Sequence, residues 1–293
     1  MSIFRYPGSK SKLLKVIRPQ IDLMIRNGAT AYHEPCVGGG AVVASVAKDY
    51  PGLQLHINDY DPYMHLFWQV LVNGSENELK CLFELIRQTP TVDLFKQLRM
   101  TEPESYMDMA YQAVFFNRTT FSGIHNSGPY GGYAQDKQHK ITGRYQSERI
   151  ISDIQRLRLL LRGRTTVSRL SVIHYVQFMV GKNDITYLDP PYFEKGNSLY
   201  PTGMTHQEHQ TLATVLRSKK NWVLSYDRCQ PIAEMYDFAT RLLVPVKYSV
   251  TAGGTKRGTQ FEYLILPLGM PVAVECVAMV VEPESDAGLK LVA

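Results

Sequence analysis

The consecutive residues Asp189, Pro190, Pro191 and Tyr192 combine a carboxylate, a rigid backbone and an aromatic ring. Adjacent prolines fix φ and lack N–H donors, so the carbonyl of Pro190 cannot be absorbed into a helix or a sheet ladder. The carboxylate and this carbonyl can each accept one hydrogen of an aromatic amino group, while the tyrosine ring stacks on its face. The segment is therefore a candidate clamp for a planar amine, and as a pattern alone it fits an ordinary turn equally well.

The residues before this clamp predict where it lies. Residues 184–188 are β-branched, aromatic and apolar between turn formers, which predicts a buried strand. The clamp then follows the carboxyl end of a strand, where open α/β sheets bind their ligands.

A second segment, residues 33–40, carries three consecutive glycines and predicts a turn between a strand and a helix. It follows the apolar residues 29–32 and precedes a small-residue helix pattern at 41–47. Glycines at such a turn let the backbone approach a ligand closely. A glycine-rich turn alone also fits a phosphate site, but the acidic Glu34 repels phosphate and suits the cationic end of a methionine group.

About 20 residues beyond this turn, residues 55–59 predict a strand that ends in the carboxylate of Asp59. An acidic residue at this spacing is placed to bind a pair of ribose hydroxyls. The alternative is that Asp59 caps a helix that begins near Pro62. The turn and the carboxylate together indicate a nucleoside site without a phosphate cradle, which favours S-adenosylmethionine over NAD or ATP.

At the N-terminus, residues 4–14 predict a tight basic turn that leads into an amphipathic helix. The spacing of Lys10 from the glycine is not that of a P-loop. Taken alone, the segment also fits a solvated, positively charged start of a helix.

In their order and spacing these segments resemble the Dam-type DNA adenine methyltransferases of bacteria and phages. The resemblance covers about residues 3–267. The motifs that carry it are Tyr-Pro-Gly-Ser-Lys at 6–10, Glu-Pro-x-x-Gly-x-Gly at 34–40, Asn-Asp at 58–59, Asn-Arg-x-x-Phe-x-Gly at 117–123, Asp-Pro-Pro-Tyr at 189–192, the segment 200–216 and a closing strand at 261–266.

The resemblance implies an α/β fold, namely a Rossmann-like S-adenosylmethionine-dependent methyltransferase sheet with an inserted, mainly helical target-recognition subdomain. It implies methyl transfer from S-adenosylmethionine to the exocyclic amino group of a flipped adenine in duplex DNA. The expected catalytic residues are Asp189, Pro190, Pro191 and Tyr192, with Tyr192 as the platform for the base. The expected cofactor-binding residues are Tyr6, Gly8, Lys10, Glu34, Pro35, Gly38, Gly40, Asp59 and Asp189.

Composition agrees with a large cytoplasmic enzyme. The chain of 293 residues is 44% hydrophobic, enough for one α/β domain with an insertion. The four cysteines are dispersed without metal-ligand spacing, which argues for a reducing compartment and no metal site. No apolar run reaches the length of a membrane span and the N-terminus does not resemble a signal peptide, so membrane insertion and export are not expected.

Positive charge is clustered. The net charge is +5, but residues 137–169 carry nine Lys and Arg against two acidic residues, and residues 1–26 carry six against one. Clusters of this kind are typical of a polyanion partner, although a solvated helix face is the alternative. We therefore expect double-stranded DNA as the partner.

The pattern of apolar and polar residues along the chain predicts its organisation. Helices are predicted within 78–86, 106–116 and, as a basic amphipathic helix, 147–161, and a long aperiodic loop at 117–145. Further strands are predicted at 165–167 and 222–225. The expected division is a catalytic domain at 1–72 and 165–267, a target-recognition insertion at 73–164, and an extension at 268–293 without assigned function, whose apolar residues 272–281 fit either an edge strand or a tail.

Within the insertion, the loop is expected to contact base edges through Arg144, Asn126 and His125, because Arg and Asn pair with bases in the major groove. The following helix is expected to contact phosphates. The full set of expected DNA-binding residues is Arg5, Asn117, Arg118, His125, Asn126, Arg144, Arg149, Arg156 and Arg158. The insertion lacks the arginine-rich hairpin of GATC-modifying relatives, so the recognition sequence is not carried over.

Other classes of protein share parts of this pattern. Glutamine- or RNA-directed methyltransferases typically use Asn-Pro-Pro-Tyr, and cytosine amino-methylating enzymes more often use Ser-Pro-Pro-Tyr. Methylation of a cytosine ring carbon needs a Pro-Cys nucleophile, which occurs only within the cofactor turn, at Cys36. A catalytically silent DNA-binding regulator would carry a damaged motif, and none is damaged. We also expect a possible cognate restriction endonuclease as a partner. The expected assembly is a monomer or a weak dimer.

Overall fold

The computed structural model describes residues 3–4, 10, 13–123, 127–136, 138–194, 203–246, 260–273, 279–281 and 289–291. These residues group into two compact units. The first contains Ile3, Phe4 and the described part of Val37–Arg169; the second contains Lys10, the described residues up to Cys36, and those from Leu170 onward.

Among the described residues, helices and strands alternate over 14–73 and 147–246, while five α-helices follow one another over 62–161. The helices are α1 Leu14–Arg26, α2 Ala41–Asp49, α3 Pro62–Asn73, α4 Glu76–Arg87, α5 Val92–Met100, α6 Tyr106–Thr119, α7 Ser147–Leu161, α8 Val172–Phe178, α9 His206–Arg217 and α10 Gln230–Met235. The strands are β1 Ala31–Glu34, β2 Gln54–Asn58, β3 Thr165–Ser168, β4 Ile185–Leu188, β5 Trp222–Asp227, β6 Ala239–Val246, β7 Gln260–Pro267, β8 Met279–Val281 and β9 Leu289–Leu291.

The second unit is built on seven strands in the order β1-β4-β5-β7-β6-β8-β9. The pairs β1–β4 and β4–β5 are parallel, whereas β7 is antiparallel to both of its neighbours, β5 and β6. All four residues of β4 are buried, as the continuous apolar run before Asp189 predicts. This arrangement confirms the expected Rossmann-like methyltransferase class of α/β fold.

In the first unit, β2 and β3 form a parallel pair with Leu55 opposite Thr165. Helix α4 begins two residues before its predicted position, because Ser75 and Glu78 form a reciprocal capping box at its start. The segment predicted as an aperiodic loop contains the last residues of α6 and two 3-10 turns, Phe121–Gly123 and Ile141–Arg144.

The apolar end of the chain adds two strands to the sheet of the second unit. Strand β8 pairs antiparallel with β6, and β9 pairs antiparallel with β8. Of the two alternatives for residues 272–281, the structure has an added strand, at Met279–Val281, which lies between β6 and β9 and not at the edge; residues 274–278 lie outside the described part.

Arg158 corrects one expectation. Its side chain is buried, and its guanidinium donates to the carbonyls of Leu71 at 2.9 Å and Gly74 at 2.7 Å. These carbonyls belong to the C-terminal end of α3, where helix geometry leaves acceptors without intrahelical donors. Glu76, the first residue of α4, pairs with the same guanidinium at 3.0 Å. The predicted phosphate contact of Arg158 is therefore wrong, because this side chain fastens α7 to the α3–α4 junction.

Replacing Arg158 by Ala is expected to lower the free energy of unfolding by about 2–4 kcal/mol, since two buried carbonyls lose their donors. Urea denaturation monitored by circular dichroism measures the change. Arg156→Ala is the matched control, because Arg156 lies on the same helix but is exposed, and about 0.5 kcal/mol or less is expected there. Equal losses in the two variants would contradict the assignment.

Candidate active site

The glycine turn after β1 is shaped by a tryptophan from α3. Gly38 and Gly40 have φ values of 44° and 65°, in the region that favours glycine. A Cβ atom at Gly40 would overlap the indole ring of Trp68, whose Nε1 donates to the carbonyl of Gly38 at 3.1 Å. Backbone conformation thus favours glycine at both positions, and the close approach of Trp68 also requires it at Gly40. Sequence analysis missed Trp68, which has no motif of its own.

Asp59 directly follows β2 and holds the glycine turn. Its carboxylate accepts the N–H of Gly38 at 2.9 Å and the N–H of Asp61 at 3.1 Å. The cap of α3 is Asp61, which accepts from the N–H of Tyr63 at 2.8 Å, so the alternative of Asp59 as the helix cap is wrong. Burial, and secondly the charge of Asp61, raise the pKa of Asp59 to about 7. A carboxylate with two backbone donors still has lone pairs for hydroxyl donors.

Glu34 ends β1 and is buried in the second unit. Its carboxylate accepts the hydroxyl of Tyr32 at 2.7 Å. Burial and, secondly, Glu34 raise the pKa of Tyr32 well above its ordinary value, so Tyr32 remains a neutral donor. The acidic residue that opens the turn is therefore held by a neighbour on its own strand.

Asp189 immediately follows β4 and forms an ion pair with Lys10. The ammonium Nζ lies 3.0 Å from Oδ1 of Asp189, whose side chain is 24% exposed. The parallel pairing of β4 with β5 ends at Leu188 opposite Leu224, so the strand stops where the carboxylate begins. One oxygen of the carboxylate is thus held by Lys10, while the side chain as a whole remains partly exposed.

Lys10 also contacts Tyr192 and Glu262. Its ammonium lies 2.5 Å from the hydroxyl of Tyr192 and 3.5 Å from Oε2 of Glu262. The hydroxyl of Tyr192 donates to the same Oε2 at 2.6 Å. Asp189, Lys10, Tyr192 and Glu262 form one connected group, which we call the carboxylate–lysine cluster.

This cluster sets the charge of Asp189. Burial raises the pKa of Asp189 to about 6, the ammonium of Lys10 opposes that rise, and the charge of Glu262 adds to it. The carboxylate is therefore ionised at neutral pH but takes up a proton in mildly acidic solution.

The backbone after Tyr192 is held by Asp227 at the end of β5. The two carboxylate oxygens of Asp227 accept the N–H groups of Phe193 and Glu194, each at 3.0 Å. The ring of Phe193 packs against that of His209 with centroids 5.2 Å apart. Sequence analysis missed Asp227, although its position at the carboxyl end of a strand is the signal that marks Asp189.

Glu262 was missed as well. It is the one charged residue of β7 and is 3% exposed. A charged residue within an apolar strand is a recognisable signal, because a buried carboxylate requires a partner.

The remaining expected residues differ in their placement. Asn117 is buried in α6, which contradicts a direct contact with DNA. The guanidinium of Arg118 donates to the carbonyl of Ile3. Arg144 lies over the ring of Tyr130, 3.8 Å from its centroid. Two arginines on α7 are exposed, Arg149 and Arg156. Five expected residues lie outside the described part of the chain: Arg5, Tyr6, Gly8, His125 and Asn126.

No group of three or more His, Cys, Asp or Glu side chains among the described residues is arranged to hold a metal ion. None of the helices described is long and apolar enough to cross a membrane.

The chain belongs to the D12 class of N6 adenine-specific DNA methyltransferases, since the model of that family matches residues 6–250. It is an enzyme that methylates adenine in DNA, which confirms the resemblance drawn from the motifs.

Two relatives are type II methyltransferases. M.CviBI of Paramecium bursaria Chlorella virus NC1A is 20% identical over 237 residues, which cover 80% of this chain and 86% of the relative. M.MjaIII of Methanocaldococcus jannaschii is 23% identical over 201 residues, which cover 64% of this chain and 68% of the relative.

Proposed function

We propose that the enzyme takes the methyl group from S-adenosylmethionine and places it on the exocyclic amino group of an adenine flipped out of duplex DNA. The observation that carries this proposal is the partly exposed Asp189 carboxylate, paired with Lys10 at the end of β4 and followed by two prolines. A target base inside a duplex cannot reach such a site, so flipping is required.

The residues of the glycine turn fit the nucleoside part of the donor. Asp59 keeps acceptor capacity for ribose hydroxyls beyond its two backbone donors, and Gly38 and Gly40 leave no side chain above the turn. When bound, S-adenosylmethionine supplies an electrophilic methyl group on a sulfonium. The residues proposed to hold it are Tyr6, Gly8, Lys10, Glu34, Pro35, Gly38, Gly40, Asp59 and Asp189.

The clamp acts on the adenine amino group. Its nitrogen is a poor nucleophile because the lone pair is delocalised into the ring. Asp189 and the carbonyl of Pro190 each accept one of its hydrogens, which favours a pyramidal nitrogen with a localised lone pair. Tyr192 presents its ring to the base while its hydroxyl is bound to Lys10 and Glu262. This is positioning and electrostatic preorganisation without a covalent intermediate on the enzyme.

Binding of DNA is assigned to the insertion at 73–164, and catalysis to 1–72 and 165–267. Arg149 and Arg156 are exposed on α7 and suit phosphates, while Arg144, supported by Tyr130, suits a base edge. The loop residues His125 and Asn126, with Arg5 and Arg118, complete the proposed DNA contacts.

The relatives' names support a proposal for the biological setting. Two type II methyltransferases among them favour a role beside a restriction endonuclease. We place the enzyme, as a monomer or weak dimer, in the cytoplasm of a bacterium or of a phage-infected host. Sequencing that detects methylated bases, on DNA from cells that express the protein, tests the base and its context. Methylcytosine, or methylation in RNA alone, would refute the proposal and favour an enzyme acting on that base; no methylation would favour a silent regulator.

Asp189→Ala is expected to reduce turnover by about 100-fold or more, because losing one preorganised acceptor typically costs that much. DNA binding, measured by fluorescence anisotropy, should stay within about twofold of wild type. Turnover above about one hundredth of wild type would contradict the clamp.

The pH dependence of the same step checks the charge of Asp189. Its raised pKa, about 6, means that the carboxylate is lost as pH falls through that value, so the single-turnover rate should decline below about pH 6. Lys10→Met removes the charge that lowers this pKa, so the decline should move to higher pH. An acid limb that does not respond to Lys10→Met would show that another group controls it.

Asp59→Ala is expected to weaken S-adenosylmethionine binding by about tenfold or more, since hydrogen bonds to a charged group contribute about 1.5–3 kcal/mol. Calorimetry measures the cofactor, and anisotropy measures DNA, which should bind nearly as before. Asp61→Ala is the matched control, because it removes the cap of α3 and should lower thermal stability by about 1 kcal/mol. Unchanged cofactor affinity in Asp59→Ala would refute the ribose contact.

Arg149→Ala or Arg156→Ala is expected to weaken binding to all DNA sequences alike and to reduce the salt dependence by about one unit of slope. Arg144→Ala should instead cost about 1–3 kcal/mol at one position of the site and relax preference there. Binding to a panel of single-base variants at two salt concentrations separates these outcomes. Arg217→Ala, an exposed arginine paired with Asp237 in the second unit, is the control. Uniform weakening by Arg144→Ala would make it a phosphate contact.

A further inference from the structure

Glu262 lies in the middle of the second unit's sheet, on β7 opposite Asp227 of β5. Burying a carboxylate is costly unless hydrogen bonds and an opposite charge compensate. Glu262 receives both kinds of compensation, the hydroxyl of Tyr192 at 2.6 Å and the ammonium of Lys10 at 3.5 Å. Both of these partners belong to the carboxylate–lysine cluster around Asp189.

The charges of this cluster do not cancel. One ammonium, Lys10, lies within 3.5 Å of carboxylate oxygens of both Asp189 and Glu262. The pair of carboxylates therefore exceeds the ammonium by one negative charge when both are ionised. Tyr187, the third residue of β4, stays neutral because burial raises its pKa, and its hydroxyl lies 3.0 Å from that of Ser225. Tyr192 contributes a hydroxyl rather than a charge.

The position of Tyr192 depends on the same carboxylate. Its hydroxyl lies between two groups, since it receives the hydrogen bond of Lys10 and donates to Glu262. Without Glu262 that hydroxyl would lose this acceptor, and Lys10 would lose one of its carboxylate partners. Both consequences fall on groups that contact Asp189 or follow it in the chain.

We propose that Glu262 is a positioning residue of the methyl-transfer site, which fixes Lys10 and the ring of Tyr192 and so sets the orientation and the charge of Asp189. The proposal rests on the proposed role of Asp189 in clamping the target amino group. Glu262 contacts Tyr192 and Lys10, so it acts on Asp189 through them.

The test is Glu262→Gln, which keeps the size of the side chain and an acceptor for Tyr192 but removes the charge. The single-turnover rate at pH 8 should fall by about tenfold or more, because the clamp loses its fixed geometry. The acid limb should move to lower pH by about one unit, because a neighbouring negative charge that raises the pKa of Asp189 is gone. This direction is opposite to that expected for Lys10→Met.

A direct readout accompanies the kinetics. Carboxyl carbon NMR of protein labelled at aspartate, with the Asp189 resonance assigned through Asp189→Asn, follows its titration without DNA or methyl donor. Glu234→Gln is the matched control, an exposed glutamate of the same unit, and should leave both the rate and the titration unchanged.

A merely structural role for Glu262 predicts lower thermal stability with an unmoved Asp189 titration, and that result would overturn the proposal. The NMR titration needs no reaction. If the wild type does not methylate DNA, the proposed function is refuted, whereas the titration still tests the effect of Glu262 on Asp189. If Glu262→Gln does not fold, Glu262→Asp is combined with Tyr192→Phe. The loss of single-turnover rate caused by Glu262→Asp should be much smaller in the Tyr192→Phe variant than in the wild type. Equal losses in the two backgrounds would contradict coupling through Tyr192.

Discussion

The ammonium of Lys10, buried between the carboxylates of Asp189 and Glu262, is the interaction on which the second unit's site depends. Charged groups can be buried without a large cost only when neighbouring groups replace nearly all the contacts that water made with them. The sheet provides that geometry. Strands β4 and β7 flank β5, so a residue just after β4 and a residue within β7 come to the same side chain.

A second constraint governs the first unit, where the glycine turn has little freedom. Trp68 occupies the space that a side chain at Gly40 would need, and Asp59 binds the backbone N–H of Gly38 from the end of β2. The turn is therefore fixed by packing from α3 and by a carboxylate from a strand. A backbone held in this way loses little further freedom when it binds a ligand, which is the physical advantage of preorganisation.

Local residue patterns predicted the helices and strands that depend on residues close together in the sequence. The apolar run before Asp189 gave the buried β4, and the amphipathic spacing gave α7 with the same bounds, Ser147–Leu161. Contacts between distant segments had no such signal. Arg158 has the composition of a phosphate contact, yet it caps α3 because α7 packs against the end of that helix. The helix cap shows the same limit: the sequence offered Asp59 as a cap for the helix near Pro62, whereas the structure has Asp61 there, bound to the N–H of Tyr63.

Two buried carboxylates, Asp59 in the first unit and Asp189 in the second, each lower the stability of the unit that contains them at neutral pH. Burial is the main reason that the pKa values of Asp59 and Asp189 are raised, to about 7 and about 6 from an ordinary value of 3.8. A carboxyl whose pKa is higher in the folded state favours folding fully below pH 3.8, and this contribution is lost as pH rises through 6 and 7. At neutral pH both groups are thus less stable in the fold than in water. Ligands that donate hydrogen bonds to them oppose that loss, because whatever binds only the folded state stabilises it. Stability near neutral pH and the binding of any hydrogen-bond donor to either carboxylate are for this reason linked.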